Sequence, residues 1–139
     1  MIERPKSGVS RETLEKFVSI TPFATLLGAC VEDFAPGRVC LSVALRPELT
    51  QHHGFGHGAV VGFMADSAAA WSAASLVGDV VTAEYKLNFL APAVGEKLLA
   101  RGEVIKASSR QVVAKADVFV IKDGVEKLVA TALATIAVT

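Results

Sequence analysis

Charge is scarce in this sequence, and neither sign prevails. Of the 139 residues, 20% are charged, with 14 Lys and Arg against 14 Asp and Glu, so the formal net charge is zero. Proteins that bind nucleic acids or anionic membranes use an excess of positive charge, concentrated in runs or patches. The sequence has no basic run, so we expect neither of those partners and look instead for a small-molecule substrate.

Cysteine is also rare, because Cys30 and Cys40 are the only two. Two cysteines are too few for a disulfide framework, and no CxxC or HExxH spacing suggests a metal site. We expect two reduced cysteines in the core and no bound metal. The N-terminal stretch MIERPKSGVSRETLEKF lacks the apolar centre of a secretory signal, which predicts a cytoplasmic protein.

Apolar residues, in contrast, are abundant and make up 52% of the chain. The length predicts one domain, residues 1–139, with residues 1–21 as an N-terminal helical extension. The stretch GAVVGFMADSAAAWSAASLVG is apolar enough to suggest a membrane span. Its central Asp66, its serines and its lack of charged flanks argue against that interpretation.

Periodicity predicts an α+β protein. Ser10 is a plausible N-cap for a helix to about residue 20, and Pro22 begins a short helix that ends at Gly28. Residues 57–77 lack a period of two and are apolar on nearly every side, as in a buried helix. Strict alternation in VVTAEYKLNF puts Tyr85 on one face and Thr82 on the other. Strands are expected in ACVEDF, RVCLSVAL, VVTAEYKLNF, EKLLARGEVIK, RQVVAKADVFVI and EKLVATALATIAV, the last four joined by short loops as an antiparallel meander.

Asp66 lies in the middle of the apolar helix, where a carboxylate is costly to bury. One interpretation is a structural aspartate in a small polar gap, and another is a catalytic group. At the helix start, the unpaired N–H groups and the positive dipole end suit a carbonyl oxygen that gains negative charge. Gly58 would let such a ligand approach the backbone, although it could equally be a tight entry turn.

Spacing adds a geometric constraint. Gly58 and Asp66 are eight residues apart, which is about 12 Å along one helix axis. One reacting carbonyl cannot reach both in the same chain. Two copies of the helix, packed antiparallel about a two-fold axis near Gly62, would bring Gly58 of one chain to Asp66 of the other.

The segment HGAVVGFMADSAAA resembles the H-G-G-x-x-x-x-x-x-D segment of hotdog-fold acyl-CoA thioesterases of the phenylacetate-degradation (PaaI-like) type. The lead-in PFATLLGACVEDFAPGRVCLSV and the downstream VTAEYKLNFLAPAVGEKLLARGEVIKASSR are similar to that family, so the resemblance covers about residues 22–138. It implies a hotdog fold, in which an antiparallel sheet wraps around one long helix. It also implies hydrolysis of an acyl-CoA thioester by a homodimer, often paired into a tetramer.

The resemblance implies roles for four residues by position. Asp66 would be the general base or nucleophile, and the Gly58 amide would polarise the thioester carbonyl. Gln51 stands where many members carry an asparagine that helps place water or the carbonyl. Thr82 falls near a polar position that orients the attacking water.

Substrate contacts are expected at two further places. At the helix start, His57 and Ala59 are candidates, and Ala59 replaces the second glycine of the family motif. Trp71 and Phe63 are candidates for lining an acyl pocket, with packing in the core as the alternative. The resemblance also implies that the turn KASSR holds the phosphates of coenzyme A. Its candidate residues are Lys106, Ser108, Ser109 and Arg110. Coenzyme A would then be part of the substrate, and no separate cofactor is implied.

Two alternatives to hydrolysis stay open at this point. One is hydration or dehydration of an enoyl thioester by the same fold, although the pair His57 and Asp66 does not match the arrangement of those enzymes well. The other is a non-catalytic acyl-CoA binding module.

Overall fold

A sheet of six antiparallel strands wraps around one long helix in the computed structural model, which describes residues 8–139. The expected hotdog arrangement is confirmed. Of the N-terminal extension predicted over residues 1–21, the first seven lie outside the described residues. The elements in chain order are α1 (Arg11–Ile20), α2 (Pro22–Leu27), β1 (Cys30–Ala35), β2 (Arg38–Ala44), a 3-10 turn (Pro47–Leu49), α3 (Gly58–Val77), β3 (Val80–Phe89), β4 (Lys97–Ala107), β5 (Gln111–Lys122) and β6 (Val125–Val138).

The helix boundaries follow from local chemistry, as the sequence predicts. The side chain of Ser10 accepts a hydrogen bond from the backbone of Thr13 and caps α1. Pro22 begins α2, and Gly28 ends it in the left-handed conformation, with φ of 74°. Gly78 ends α3 at φ of 86°. These signals are readable in sequence because each involves residues only a few positions apart.

The central helix α3 is buried on most of its circumference because strands and α1 pack around it. By length and composition it could cross a membrane, but 67% of its most apolar window is buried inside the fold, as in the core helix of a soluble protein. Two serines of α3 form hydrogen bonds with the backbone at the start of β2. Ser72 Oγ accepts from the Val39 amide at 3.0 Å, and Ser75 Oγ accepts from the Gly37 amide at 2.7 Å.

The strand order in the sheet is β1-β2-β4-β5-β6-β3. The predicted meander of the last four strands is therefore wrong for β3, which pairs with β6 at the edge of the sheet instead of with β4. The segment 90–96 crosses the end of the sheet to reach β4. It is held there by backbone bonds from Leu90 to Val129 and from Glu96 to Ile121, each 2.8 to 2.9 Å long.

A β-bulge changes which residues of β3 face the helix. Pairing with β6 shifts register between Thr82 and Glu84, so that Ala83 is an extra residue. Thr82 consequently faces the helix together with Tyr85, and the prediction from strict alternation that they lie on opposite faces is wrong. The bulge is the reason that the hydroxyl of Thr82 can reach α3.

The outer face of the sheet carries most of the ion pairs. Arg101 of β4 contacts both carboxylate oxygens of Glu126 at 2.7 and 2.9 Å, which raises the pKa of Arg101 and lowers that of Glu126. Both cysteines are free, but Cys30 is exposed, so its predicted place in the core is wrong. Cys40 is half-buried on β2, and burial raises the pKa of its thiol, which keeps it protonated and unreactive.

Candidate active site

Asp66 lies half-buried in the middle of α3, and its side chain has a fixed orientation. Thr82 Oγ1 on β3 donates a hydrogen bond of 2.6 Å to Asp66 Oδ1. Among residues 8–139, the structure gives Oδ2 of the same carboxylate no hydrogen-bond partner. One oxygen is therefore held by the protein, and the other is available to a water molecule or a substrate.

The start of α3 leaves one backbone donor open. The His57 ring caps the helix, because its Nδ1 accepts from the Ala59 amide at 2.9 Å. The His57 carbonyl accepts from the amides of Val60 and Val61 at 3.0 and 3.2 Å. No described residue accepts from the Gly58 amide, which points away from the helix at its positive end.

This open amide lines a cavity of about 420 Å³. Gln51, Phe89 and Pro92 line the same cavity, so the structure brings Gln51 and Gly58 together. The side-chain carbonyl of Gln51 accepts from the His53 amide, which fixes the loop before the helix. Ala59 is exposed just beyond Gly58.

Within one chain, the Gly58 amide and the Asp66 carboxylate stay about 12 Å apart, as the helical rise requires. Residues on the inner face of β3 contact α3 at both ends of this span. Thr82 reaches Asp66, whereas the Phe89 ring lies against Gly58, with its Cζ 3.2 Å from where a β-carbon would stand. Between them, the Tyr85 hydroxyl lies 3.1 Å from the corresponding position at Gly62.

The predicted coenzyme A contacts lie in the exposed turn between β4 and β5. Strand pairing places Thr82 opposite Ile136, Ile136 opposite Val112 and Val112 opposite Ala107. The turn is thus at the Asp66 end of the sheet, three strand spacings or about 14 Å across from β3. The turn has two cations, Lys106 and Arg110, and no carboxylate among the described residues forms an ion pair with either of them. The exposed residues of this turn are Lys106, Ser108, Ser109 and Arg110.

Another depression, of about 560 Å³, lies elsewhere, on the outer face of β1, β2, β4 and β5. Two of its three cations are paired, since Arg101 contacts Glu126 and Lys115 contacts Glu103, whereas Arg38 forms no ion pair with a described residue. Among residues 8–139, no group of three His, Cys, Asp or Glu side chains is placed to hold a metal ion. The residues described above around α3 are therefore the best candidates for chemistry.

Sequence reasoning missed Phe89 and Tyr85 as neighbours of the site. The sequence does contain a signal, because both residues alternate with polar residues along β3. In the structure, each of them faces a glycine of α3. What the sequence does not show is which strand covers which part of the helix. That depends on the position of β3 at the edge of the sheet.

Comparisons with known proteins agree with this fold. A family model described as the thioesterase superfamily matches residues 53–127, more than half of the chain. No curated protein matches it significantly. A thioesterase family protein from Silicibacter pomeroyi is 37% identical, with a TM-score of 0.88 over 91% of this chain and 95% of its own.

Two more distant structures share the fold. A thioesterase from Haemophilus influenzae is 21% identical, with a TM-score of 0.80 over 95% of this chain and 92% of its own. The PaaI protein of the E. coli phenylacetic acid degradation operon is 18% identical, with a TM-score of 0.82 over 92% of this chain and 91% of its own. Together with the family match, the six-stranded sheet and the central helix lead to one conclusion: this chain belongs to the thioesterase superfamily, whose hotdog fold supports the hydrolysis of thioesters.

Proposed function

We propose that the protein hydrolyses an acyl-CoA thioester in a site that two subunits share. The observation that carries the proposal is the Asp66 carboxylate, which is oriented by Thr82 at 2.6 Å and has one oxygen available. Such a group can take a proton from water beside a thioester carbonyl. Membership of the thioesterase superfamily supports the reaction class.

The second half of the site is the Gly58 amide, which has the geometry of an oxyanion donor. It is an unpaired N–H at the N-terminus of a 20-residue helix, and it lines a cavity. Hydrogen-bond donors fixed where charge develops are among the strongest contributors to catalysis of acyl transfer. Because about 12 Å separates it from Asp66 of its own chain, we propose that it acts with Asp66 of a second copy.

The edge strand β3 supports this assembly. Its outer backbone edge has no neighbouring strand among residues 8–139, and it exposes large apolar side chains, with Val81 58% and Phe89 60% accessible. Antiparallel pairing of two β3 edges, centred on Tyr85, would place Thr82 of one chain opposite the 87–89 segment of the other. The midpoint of β3 at Tyr85 coincides with the midpoint of the helical span at Gly62, so strand and helix indicate the same two-fold axis.

In the proposed reaction, the oxygen of water bonds to the thioester carbon while the Asp66 carboxylate takes the proton. The Gly58 amide of the other subunit stabilises the resulting oxyanion. The tetrahedral intermediate then collapses, the C–S bond breaks, and the thiolate of coenzyme A leaves and takes up the proton. Direct attack by Asp66 would instead expel the thiolate and form an anhydride. If water then attacks the Asp66 carbon of that anhydride, single-turnover hydrolysis in ¹⁸O-labelled water places the label in Asp66.

We further propose that the exposed turn between β4 and β5 binds the phosphates of coenzyme A. Its two cations, Lys106 and Arg110, have no carboxylate partner among the described residues, and Ser108 and Ser109 add hydroxyl and amide donors. The turn lies at the Asp66 end of the sheet, where the leaving thiol would emerge.

Release of free thiol from a series of acyl-CoA thioesters tests the proposal. We expect the wild type to release thiol, and Asp66→Asn, a change that keeps shape but removes the base, to lower kcat by at least about a hundredfold. Undiminished release by Asp66→Asn in clean protein would overturn the assignment. Loss of enoyl absorbance from crotonyl-CoA without release of thiol would indicate a hydratase instead. Binding of acyl-CoA without turnover would indicate a binding module.

A further inference from the structure

An elongated apolar groove runs between α1 and the C-terminal half of α3. Its volume is about 450 Å³, which is within the range of small-molecule sites. One wall belongs to α1, the other to α3, and the start of β3 closes the side. The residues that matter for the argument are Phe17, Ile20, Ala70, Trp71, Ala74 and Val80.

The groove begins next to the proposed base. Ala70 is one helical turn beyond Asp66, so the two side chains lie on the same face of α3, about 5 to 6 Å apart. Val80 precedes Thr82 by two residues on β3 and shares its face, about 7 Å away. Both elements that hold the catalytic carboxylate therefore continue directly into the walls of the groove.

The lining of the groove extends along the C-terminal half of α3, from Ala70 to Gly78. The two helices run in opposite directions, because Phe23 after α1 packs edge-on against Phe63 of α3, and Val9 before α1 meets Ala74. The Val9 amide donates to the Ala74 carbonyl at 3.0 Å, so the chain that enters α1 contacts α3 beside the groove. From Ala70 to Gly78 the available length is about 12 Å.

The lining suits hydrocarbon. Among residues 8–139, Asp79 is the one charged residue that lines the groove, and its carboxylate accepts a hydrogen bond from Thr139 at 3.2 Å. On the rim, Ile20 is 73% and Phe17 46% exposed, so large apolar surfaces border the groove. A ligand that covered these side chains would remove apolar area from water, which favours binding.

We propose that this groove binds the acyl chain of the substrate and that the enzyme prefers unbranched, medium-chain acyl groups. The inference rests on the proposed hydrolysis at Asp66. With the carbonyl at the carboxylate, the chain would extend past Ala70 and end near Gly78, which lies beyond the end of α3 and still lines the groove. Each methylene that becomes buried raises kcat/KM by about fourfold until the groove is full.

The first test measures thiol release against chain length. We expect kcat/KM of the wild type to rise from acetyl-CoA to octanoyl-CoA and decanoyl-CoA, and phenylacetyl-CoA to be a poorer substrate than octanoyl-CoA. Ala70→Phe fills the groove and should lower the ratio of kcat/KM for decanoyl-CoA to kcat/KM for acetyl-CoA at least tenfold. Ile20→Ser, at an exposed position on the rim, should lower kcat/KM for decanoyl-CoA severalfold. Leu26→Ser, an equally exposed apolar position outside the groove, is the matched control and should have no effect.

The second test does not depend on turnover. Trp71 lines the groove and is the only tryptophan in the chain, so its fluorescence reports on that space alone. A bromine atom quenches indole fluorescence on close contact. In the Asp66→Asn variant, ω-bromoundecanoyl-CoA should quench Trp71, decanoyl-CoA should relieve the quenching by competition, and Ala70→Phe should prevent it.

The two proposals fail in different ways. Quenching of Trp71 without thiol release from any acyl-CoA by the wild type would keep the groove as an acyl site and reject the hydrolase. Thiol release without chain-length preference, together with no quenching over the soluble range of the brominated analogue, would keep the hydrolase and reject the groove. A higher kcat/KM for phenylacetyl-CoA than for octanoyl-CoA would also overturn the assignment to unbranched chains.

Discussion

At the start of α3, the amide of Gly58 has no acceptor among the described residues. The residue before it, His57, accepts hydrogen bonds from the next three amides of the helix. The ring of His57 accepts a hydrogen bond from the Ala59 amide, and the His57 carbonyl accepts from the amides of Val60 and Val61. The residue with the unpaired donor, Gly58, lines a cavity together with Gln51 and Phe89. A residue that sequence reasoning assigns to substrate contact thus also has a structural role, and the two roles are compatible.

Gly58→Pro removes this donor with little disturbance of the helix. Proline is favoured at the first helical position, and His57, at φ of −63° and ψ of 141°, already has a conformation that a following proline allows. We expect kcat for thiol release to fall about a hundredfold to a thousandfold. The control is Gly58→Ala, which brings a β-carbon against the same Phe89 ring but keeps the N–H. Equal losses in the two variants would show that the amide proton has no catalytic role.

Thr82 is a positioning residue, since it contacts Asp66 and acts through it. Thr82→Val keeps the shape and removes the hydroxyl, so the carboxylate loses its fixed orientation. We expect kcat to fall about tenfold to a hundredfold with KM nearly unchanged, because small misplacements of a catalytic group reduce rate more than binding. Thr82→Ser retains the donor and should recover most of the rate. A loss in Thr82→Ser as large as in Thr82→Val would contradict this role.

At the scale of secondary-structure elements, the sequence predicts what local chemistry determines. Helix caps and the buried helix follow from neighbours along the chain, and both are confirmed. The bulge in β3 and its place beside β6 depend on a strand about 50 positions away. Because the segment 90–96 is short, it has the features of a hairpin loop, although it crosses the end of the sheet. The groove beside α1 is likewise a product of tertiary packing and could not be predicted.

The contact between β4 and α3 gives a prediction at this scale. Gly102 lies so close to the helix that a β-carbon would stand 2.1 Å from the Ala68 carbonyl oxygen. This neighbour is backbone and cannot rotate away, so Gly102→Ala must separate strand from helix. We expect the free energy of unfolding in urea to fall by about 3 kcal/mol. Gly58→Ala, whose neighbour is the mobile end of the Phe89 ring, should change it far less, and similar losses would contradict this account.

At the scale of the whole molecule, the described chain carries two separate candidate groups on α3, one at its start and one in its middle. The carboxylate with its threonine lies at one position and the open amide at another, about 12 Å away. Between them runs an unpaired edge strand with exposed apolar side chains, a feature that proteins rarely leave uncovered. The absence of net charge offers no electrostatic barrier to self-association. We therefore expect a dimer in solution, with two equivalent sites.

Mixed dimers test the shared site most directly. Asp66→Asn subunits lack the base and Gly58→Pro subunits lack the donor, so each homodimer should be inactive. In a mixed dimer, one of the two sites would combine an intact Gly58 with an intact Asp66. Random co-assembly should therefore restore about a quarter of the wild-type rate of thiol release. If the mixture stays as inactive as the two variants prepared separately, the site does not combine residues 58 and 66 of different subunits.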